Sequence, residues 1–215
     1  GVADVDAALT CATRAFDEGP WPRMPAVERG RVLLAAAALL RERAEQFVAC
    51  DVANAGKPVA GARWEVEATA STFEYYGGAA NKVHGDVPPV AKPGLAVVLR
   101  EPVGVCALIV PWNFPLMIAG WKVAPALACG NTVVLKPASY TPLSALLLGE
   151  LLVDAGVPPD AISVLPGPGA RVDLDAGQEA RGLAHEARRQ AQAVEVHGVG
   201  GPVHPDGVQT RVAEQ

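Results

Sequence analysis

The sequence predicts an α/β chain: amino-terminal helices followed by a doubly wound parallel sheet. Three observations predict it. Apolar residues recur at helical spacing from Val5 to Tyr76. From Val103 onward, short aliphatic runs without alternation take over, as suits strands buried on both faces of a parallel sheet. Apolar helical stretches separate those runs, giving strand, helix, strand, helix, strand, a pattern that closes with right-handed crossovers.

The elements follow in order. Val5, Ala8, Leu9, Ala12 and Phe16 share a helix face behind Asp4, read as its N-cap, and Gly19-Pro20-Trp21-Pro22 ends that helix. One long helix is expected from about Ala26 to Asn54, with Val32, Leu33, Leu40, Phe47 and Val48 on its apolar stripe. Gly56 and Pro58 end it. A third helix, about Ala60 to Ala80, brings Trp64, Phe73 and Tyr76 toward a core. Leu95 to Arg100 and Val103 to Val110 are β-rich runs divided by Glu101-Pro102. Leu116 to Cys129 reads as a buried helix containing Pro125 and closed by Gly130. Thr132 to Lys136 is a second buried strand. Thr141 is read as a cap with Pro142 at the first helical position, and the helix runs to Gly156. Ile162 to Leu165 is the last strand.

Composition narrows the function. Of 215 residues, 50% are hydrophobic and 19% charged, enough apolar material for a sizeable core. The net charge of −5 and the lack of a basic run argue against nucleic acid and anionic membranes as partners. The longest aliphatic run, Val32 to Leu40, is too short to span a bilayer. No signal peptide is read at Gly1, and the absent initiator Met implies a start inside a longer frame or after processing. Cys11, Cys50, Cys106 and Cys129 form no metal or disulfide pattern, so no metal is expected and a reducing, cytoplasmic setting fits.

Composition shifts near Ala170. All aromatic residues and all Ile precede it, whereas His185, His197 and His204 follow it. Residues 1–169 are therefore read as one unit, which the resemblance given below implies is a partial cofactor-binding domain with amino-terminal helices. Residues 170–215 are read as a divergent, poorly ordered tail, with one helix around Gln178 to Val194.

Ligands of open α/β sheets bind beyond the carboxyl ends of the strands. After Val110, two prolines stiffen Pro111-Trp112-Asn113-Phe114-Pro115 around a carboxamide. Asn113 is either a donor to a developing oxyanion or an Asx-type turn. After Leu135, Lys136 is either a phosphate or ribose ligand or a strand-end lysine reaching solvent, and Ser139 offers a hydroxyl nearby. Gly167-Pro168-Gly169 either admits a phosphate to the backbone or is a plain turn; it is not a GxGxxG. Cys106 and Cys129 are expected to be packing residues within a buried strand and a buried helix.

Arg100-Glu-Pro-Val-Gly-Val105, Val110-Pro-Trp-Asn-Phe-Pro115, Ala126 to Ala138 with Gly-Asn-Thr-Val-Val-Leu-Lys-Pro inside it, and Thr141-Pro-Leu-Ser-Ala145 occur in this order. Together they resemble the NAD(P)-dependent aldehyde dehydrogenase superfamily, to about Gly169. The resemblance implies a Rossmann-like sheet, here truncated, and oxidation of an aldehyde to a carboxylic acid through a cysteine thiohemiacetal. It implies Asn113 as oxyanion donor, Trp112 in the cofactor pocket, Lys136 on the adenosine ribose, and Gly167 to Gly169 in the loop toward the cofactor helix. Ser139 stands where many NAD-preferring members carry a glutamate. A carboxylate there repels a 2′-phosphate and a serine does not, so either NAD or NADP is expected as cofactor, with NADP tolerated.

The family also forms dimers or tetramers, so a homo-oligomer is expected. Its nucleophilic cysteine, its carboxylate base and the segments that carry them have no match in this sequence. The chain is therefore expected to be inactive alone, as a truncated or frameshifted product. The alternative is a short protein that serves as a non-catalytic nucleotide-binding or partner-binding module.

Overall fold

The computed structural model describes residues 2–91 and 94–168. The amino-terminal part is helical: α1 (Val2–Asp17), α2 (Pro20–Arg23), α3 (Ala26–Glu42), α4 (Ala44–Ala55) and α5 (Val59–Ala79). The rest alternates β1 (Val105–Ile109), α6 (Pro115–Ala128), β2 (Thr132–Lys136), α7 (Leu143–Asp154) and β3 (Ile162–Val164). The three strands are all parallel, in the order β1-β2-β3. Val105 pairs with Thr132 and Ile109 with Lys136, while Val133 pairs with Ile162.

Alternation along β2 shows how the layers form. Successive side chains of a strand point to opposite faces. Val133 and Leu135 pack in the large core with Leu116, Leu127, Leu148 and Leu152 of α6 and α7. Val134 faces the other way and packs with Val5, Leu9 and Ala12 of α1. Both crossover helices thus cover one face, and α1 covers the other. Thr132 Oγ1 donates to the Ala12 carbonyl at 3.0 Å, fixing α1 on the sheet. Behind α6, helices α3, α4 and α5 add Leu33, Leu40, Phe47, Val66 and Phe73 to the same core. Burying each such side chain contributes roughly 1.5–3 kcal/mol.

The turn before β2 depends on Gly130 and Asn131. Gly130 has φ of +85°, a left-handed conformation that glycine adopts without strain. Asn131 Oδ1 accepts from the backbone N–H groups of Val103 (2.7 Å) and Gly104 (3.1 Å), and its Nδ2 donates to Ala126 O at 3.1 Å. One side chain therefore joins the entry of β1 to the end of α6.

Several expectations are corrected. The helix expected over 26–54 breaks at Arg43, whose ψ of 18° departs from the α-helical value, giving α3 and α4. Asp4 lies inside the first turn of α1 rather than capping it. Trp64 is 59% exposed, because its neighbours Ala62 and Val66 occupy the buried face of α5. Leu95 to Arg100 adds no strand to the sheet; Val98 makes an isolated antiparallel bridge with Asp86. Thr141 gives no side-chain cap: Pro142 holds the N-cap position and α7 begins at Leu143. The expected helix over Gln178 to Val194 and the order of the tail lie outside the described residues.

Candidate functional site

The carboxyl edge of the sheet gathers most of the chemistry-bearing residues. The Val110 N–H donates to Lys136 O at 3.0 Å, so β1 and β2 leave the sheet side by side. From β1 the chain passes through Pro111, Trp112 and Asn113 to Phe114, the N-cap of α6, with Pro115 at its first position. Prolines on both sides restrict this segment. Trp112 is 65% exposed and Asn113 is exposed beside it.

Lys136 closes β2 and is buried, against the solvent-reaching alternative. Its Nζ donates to Pro137 O at 3.0 Å. Ser139 follows in an exposed turn, and its Oγ donates to Gly167 O at 2.6 Å. That bond ties the loop after β2 to the loop after β3. Lys136, Ser139 and Gly167 therefore meet at one end of the β2–β3 pair, and Asn113 and Trp112 lie one strand away on the same edge. Gly169 lies outside the described residues.

The structure adds a polar cluster that has no sequence motif. Gly56 ends α4 in the left-handed conformation (φ +68°) and turns Lys57 inward. The Lys57 side chain is 12% exposed and pairs with Glu65 of α5, which is 2% exposed. The Lys57 ammonium also lies 4.7 Å from the centroid of the Phe114 ring. Asp51 of α4 is buried close by. Burial pushes the Lys57 pKa down, opposed by the charge of Asp51. Burial pushes the Asp51 pKa up, opposed by Ser144 and by Lys57. The only signal in the sequence is a Gly-Lys-Pro at a helix end.

The thiols are not grouped at this edge. Cys106 is the second residue of β1, and Cys129 ends α6 where the chain returns to the amino edge. Cys129 is exposed rather than buried in the helix, because it falls on the C-cap, past the packed face. Burial raises the pKa of Cys11, Cys50 and Cys106, with Asp160, Asp51 and Cys129 respectively adding to the rise. A thiol shifted that way is protonated at neutral pH and a poor nucleophile. Among the described residues no cluster of three His, Cys, Asp or Glu is placed to hold a metal. No described helix is long and apolar enough to cross a membrane.

Known proteins are similar to this chain in sequence and in fold. The mitochondrial benzaldehyde dehydrogenase of Antirrhinum majus is 46% identical over 165 residues, which is 76% of this chain and 31% of that protein. Human retinal dehydrogenase 2 is 47% identical over 169 residues, covering 78% of this chain and 33% of the relative. The chain thus spans about a third of the length of these relatives. Among solved structures, the NAD-dependent aldehyde dehydrogenase of Sinorhizobium meliloti superposes with a TM-score of 0.80 at 34% identity, over 87% of this chain and 41% of the other. PnpE in complex with nicotinamide adenine dinucleotide superposes with a TM-score of 0.79 at 39% identity, over 89% and 42%. These neighbours make the three-stranded unit part of a Rossmann-like fold. The sequence profile of the aldehyde dehydrogenase family matches residues 1–176, and the chain belongs to that family.

Proposed function

We propose that this chain provides the adenosine side of an NAD(P)-binding site and the oxyanion donor of an aldehyde-oxidising enzyme. The observation that carries it is the convergence of Lys136, Ser139 and Gly167 at the carboxyl edge, with Asn113 on the same edge. The residues suit the dinucleotide. Lys136 brings a cation to the end of a central strand, and the Gly167 backbone lies against the Ser139 hydroxyl. The dinucleotide supplies the hydride acceptor when bound. With the dinucleotide bound, Lys136 would donate to the ribose hydroxyls, Trp112 would wall the pocket, and Asn113 would offer its N–H groups to the carbonyl oxygen, where negative charge develops during nucleophilic addition.

Ser139 bears on the choice of nucleotide. Its hydroxyl donates to Gly167 O and its lone pairs remain as acceptors. No carboxylate is present at that position to repel a 2′-phosphate, so the site accepts NADP as well as NAD. The 215-residue chain by itself acts as a binding module. Cys106 lies within β1 and Cys129 ends α6, and burial raises the pKa of Cys11, Cys50 and Cys106, which keeps those thiols protonated at neutral pH. The scattered thiols favour a reducing compartment such as the cytoplasm. The segment after α5 exposes Val83, Val87, Val90, Leu95 and Leu99, a surface suited to joining a second copy of the chain.

Quenching of tryptophan fluorescence by NAD+ and NADP+ tests the reading. Saturable quenching by both, with no growth of absorbance at the reduced-nicotinamide band when aldehydes are added, is the expected result. A flat titration with both nucleotides contradicts the cofactor site. Turnover by the purified chain contradicts the binding-module assignment.

A further inference from the structure

The buried Lys57 has no explanation in stability alone. Moving a cation and a carboxylate out of water is expensive, and apolar residues of similar volume do as well or better at such positions. Here one ammonium sits among two buried carboxylates, Glu65 and Asp51, at the junction of α4, α5 and the start of α6. The face of the Phe114 ring also lies against it, 4.7 Å from ammonium to centroid. A partly desolvated cation over an aromatic face is attracted by the ring quadrupole. Phe114 is the residue after Asn113. Its backbone (φ −135°, ψ 65°) is the last non-helical one before α6, and its carbonyl accepts the Ile118 N–H at 3.0 Å.

We propose that Lys57 is a positioning residue for Asn113: clamped by Glu65, it holds the Phe114 ring and so fixes the strand-to-helix turn that presents the carboxamide. The consequence for catalysis rests on Asn113 being the oxyanion donor, as argued above. The mechanical claim does not. The geometry explains why the cation is buried. A solvent-exposed lysine is free to wander, whereas one paired inside the fold has a fixed place, and the ring above it inherits that place. The prolines restrict the turn from within the chain, and Lys57 restricts it from the neighbouring helices. Errors of about 1 Å in such a group are worth on the order of a hundredfold in rate.

The test is backbone 15N relaxation on the 215-residue chain, read at Asn113, with Thr132 of β2 as the internal control. The wild-type Asn113 N–H is expected to be as rigid as Thr132, with an order parameter of about 0.85. Lys57→Met is expected to lower it below about 0.6 while Thr132 is unchanged. Lys57→Arg, which keeps a cation under the ring, is expected to restore it. Because Lys57→Met leaves Glu65 buried and unpaired, Lys57→Met/Glu65→Gln removes that charge, and Phe114→Leu removes the ring while the ion pair stays. Both are expected to loosen Asn113 as Lys57→Met does. A folded double variant or Phe114→Leu variant with Asn113 as rigid as in the wild type overturns the proposal. NADP+ titration of the wild type is read separately. If no nucleotide binds, the cofactor assignment fails, whereas the relaxation result still decides the role of Lys57.

Discussion

Ser139 and Asp51 are single residues at which a change of charge has a measurable consequence. The Ser139 hydroxyl is neutral and already donates to Gly167 O. On the proposed adenosine-side reading, Ser139→Glu puts a negative charge beside the 2′-phosphate. NADP+ binding is then expected to weaken about tenfold relative to NAD+, on the order of 1.4 kcal/mol. Paired titrations with the two nucleotides measure this; an unchanged ratio places the 2′-phosphate elsewhere. Asp51 makes a different prediction. Its carboxyl is held above the ordinary carboxylate range by burial, so the folded chain binds that proton more tightly than the unfolded one. Folding stability therefore falls as pH rises from the unfolded value through the raised folded value, and the ionised group is a liability at neutral pH. Asp51→Asn is expected to raise the melting temperature at pH 7 by a few degrees. That gain should shrink toward acid pH, where Asp51 is protonated. Thermal melts from pH 4 to pH 7 follow both, and a lower melting temperature at pH 7 contradicts the sign.

Helix crossings and strand ends show which elements the sequence makes legible. The strand over Thr132–Lys136 is readable because an unbroken aliphatic run lies between Gly130-Asn131 and Pro137. The break between α3 and α4 is not, because Arg43 and Ala44 carry no glycine or proline signal and tertiary packing decides the bend. Trp64 misleads for a related reason. Its size suggests a core residue, yet Ala62, Val66 and Phe73 fill the inner face of α5. Of the candidate site, Lys136 is readable because it ends a strand, and Asn113 and Ser139 because each follows one. Lys57, Asp51 and Glu65 are not, since folding alone brings α4 and α5 together beneath Phe114. The crossing of α3 and α5 gives a prediction at this scale. A Cβ on Gly30 would lie 2.5 Å from Gly77 O, and one on Gly77 would lie 3.0 Å from Gly30 O. The two helices touch backbone to backbone there. Gly30→Ala forces them apart and is expected to destabilise the chain by about 1–3 kcal/mol. Chemical denaturation measures it, and a neutral result means the crossing relaxes freely.

Among the described residues, the sheet is covered by α1 on one face and by α6 and α7 on the other, and none of these helices covers its carboxyl edge. The exposed apolar segment between α5 and β1 is the feature that a second copy would cover. Sedimentation velocity is expected to show concentration-dependent association, weakened by Val87→Asp and Leu99→Asp together. A monomer at every concentration contradicts that use of the segment.

Lys136, with Ser139 and Gly167 beside it, is the proposed anchor of a dinucleotide. Isothermal titration of NADP+ into the wild-type chain and into Lys136→Met tests it most directly. Saturable one-to-one binding to the wild type is expected, with at least a tenfold loss in Lys136→Met, because hydrogen bonds from a charged donor contribute about 1.5–3 kcal/mol. Equal affinities for the two chains, or heat without saturation in the wild type, would contradict it.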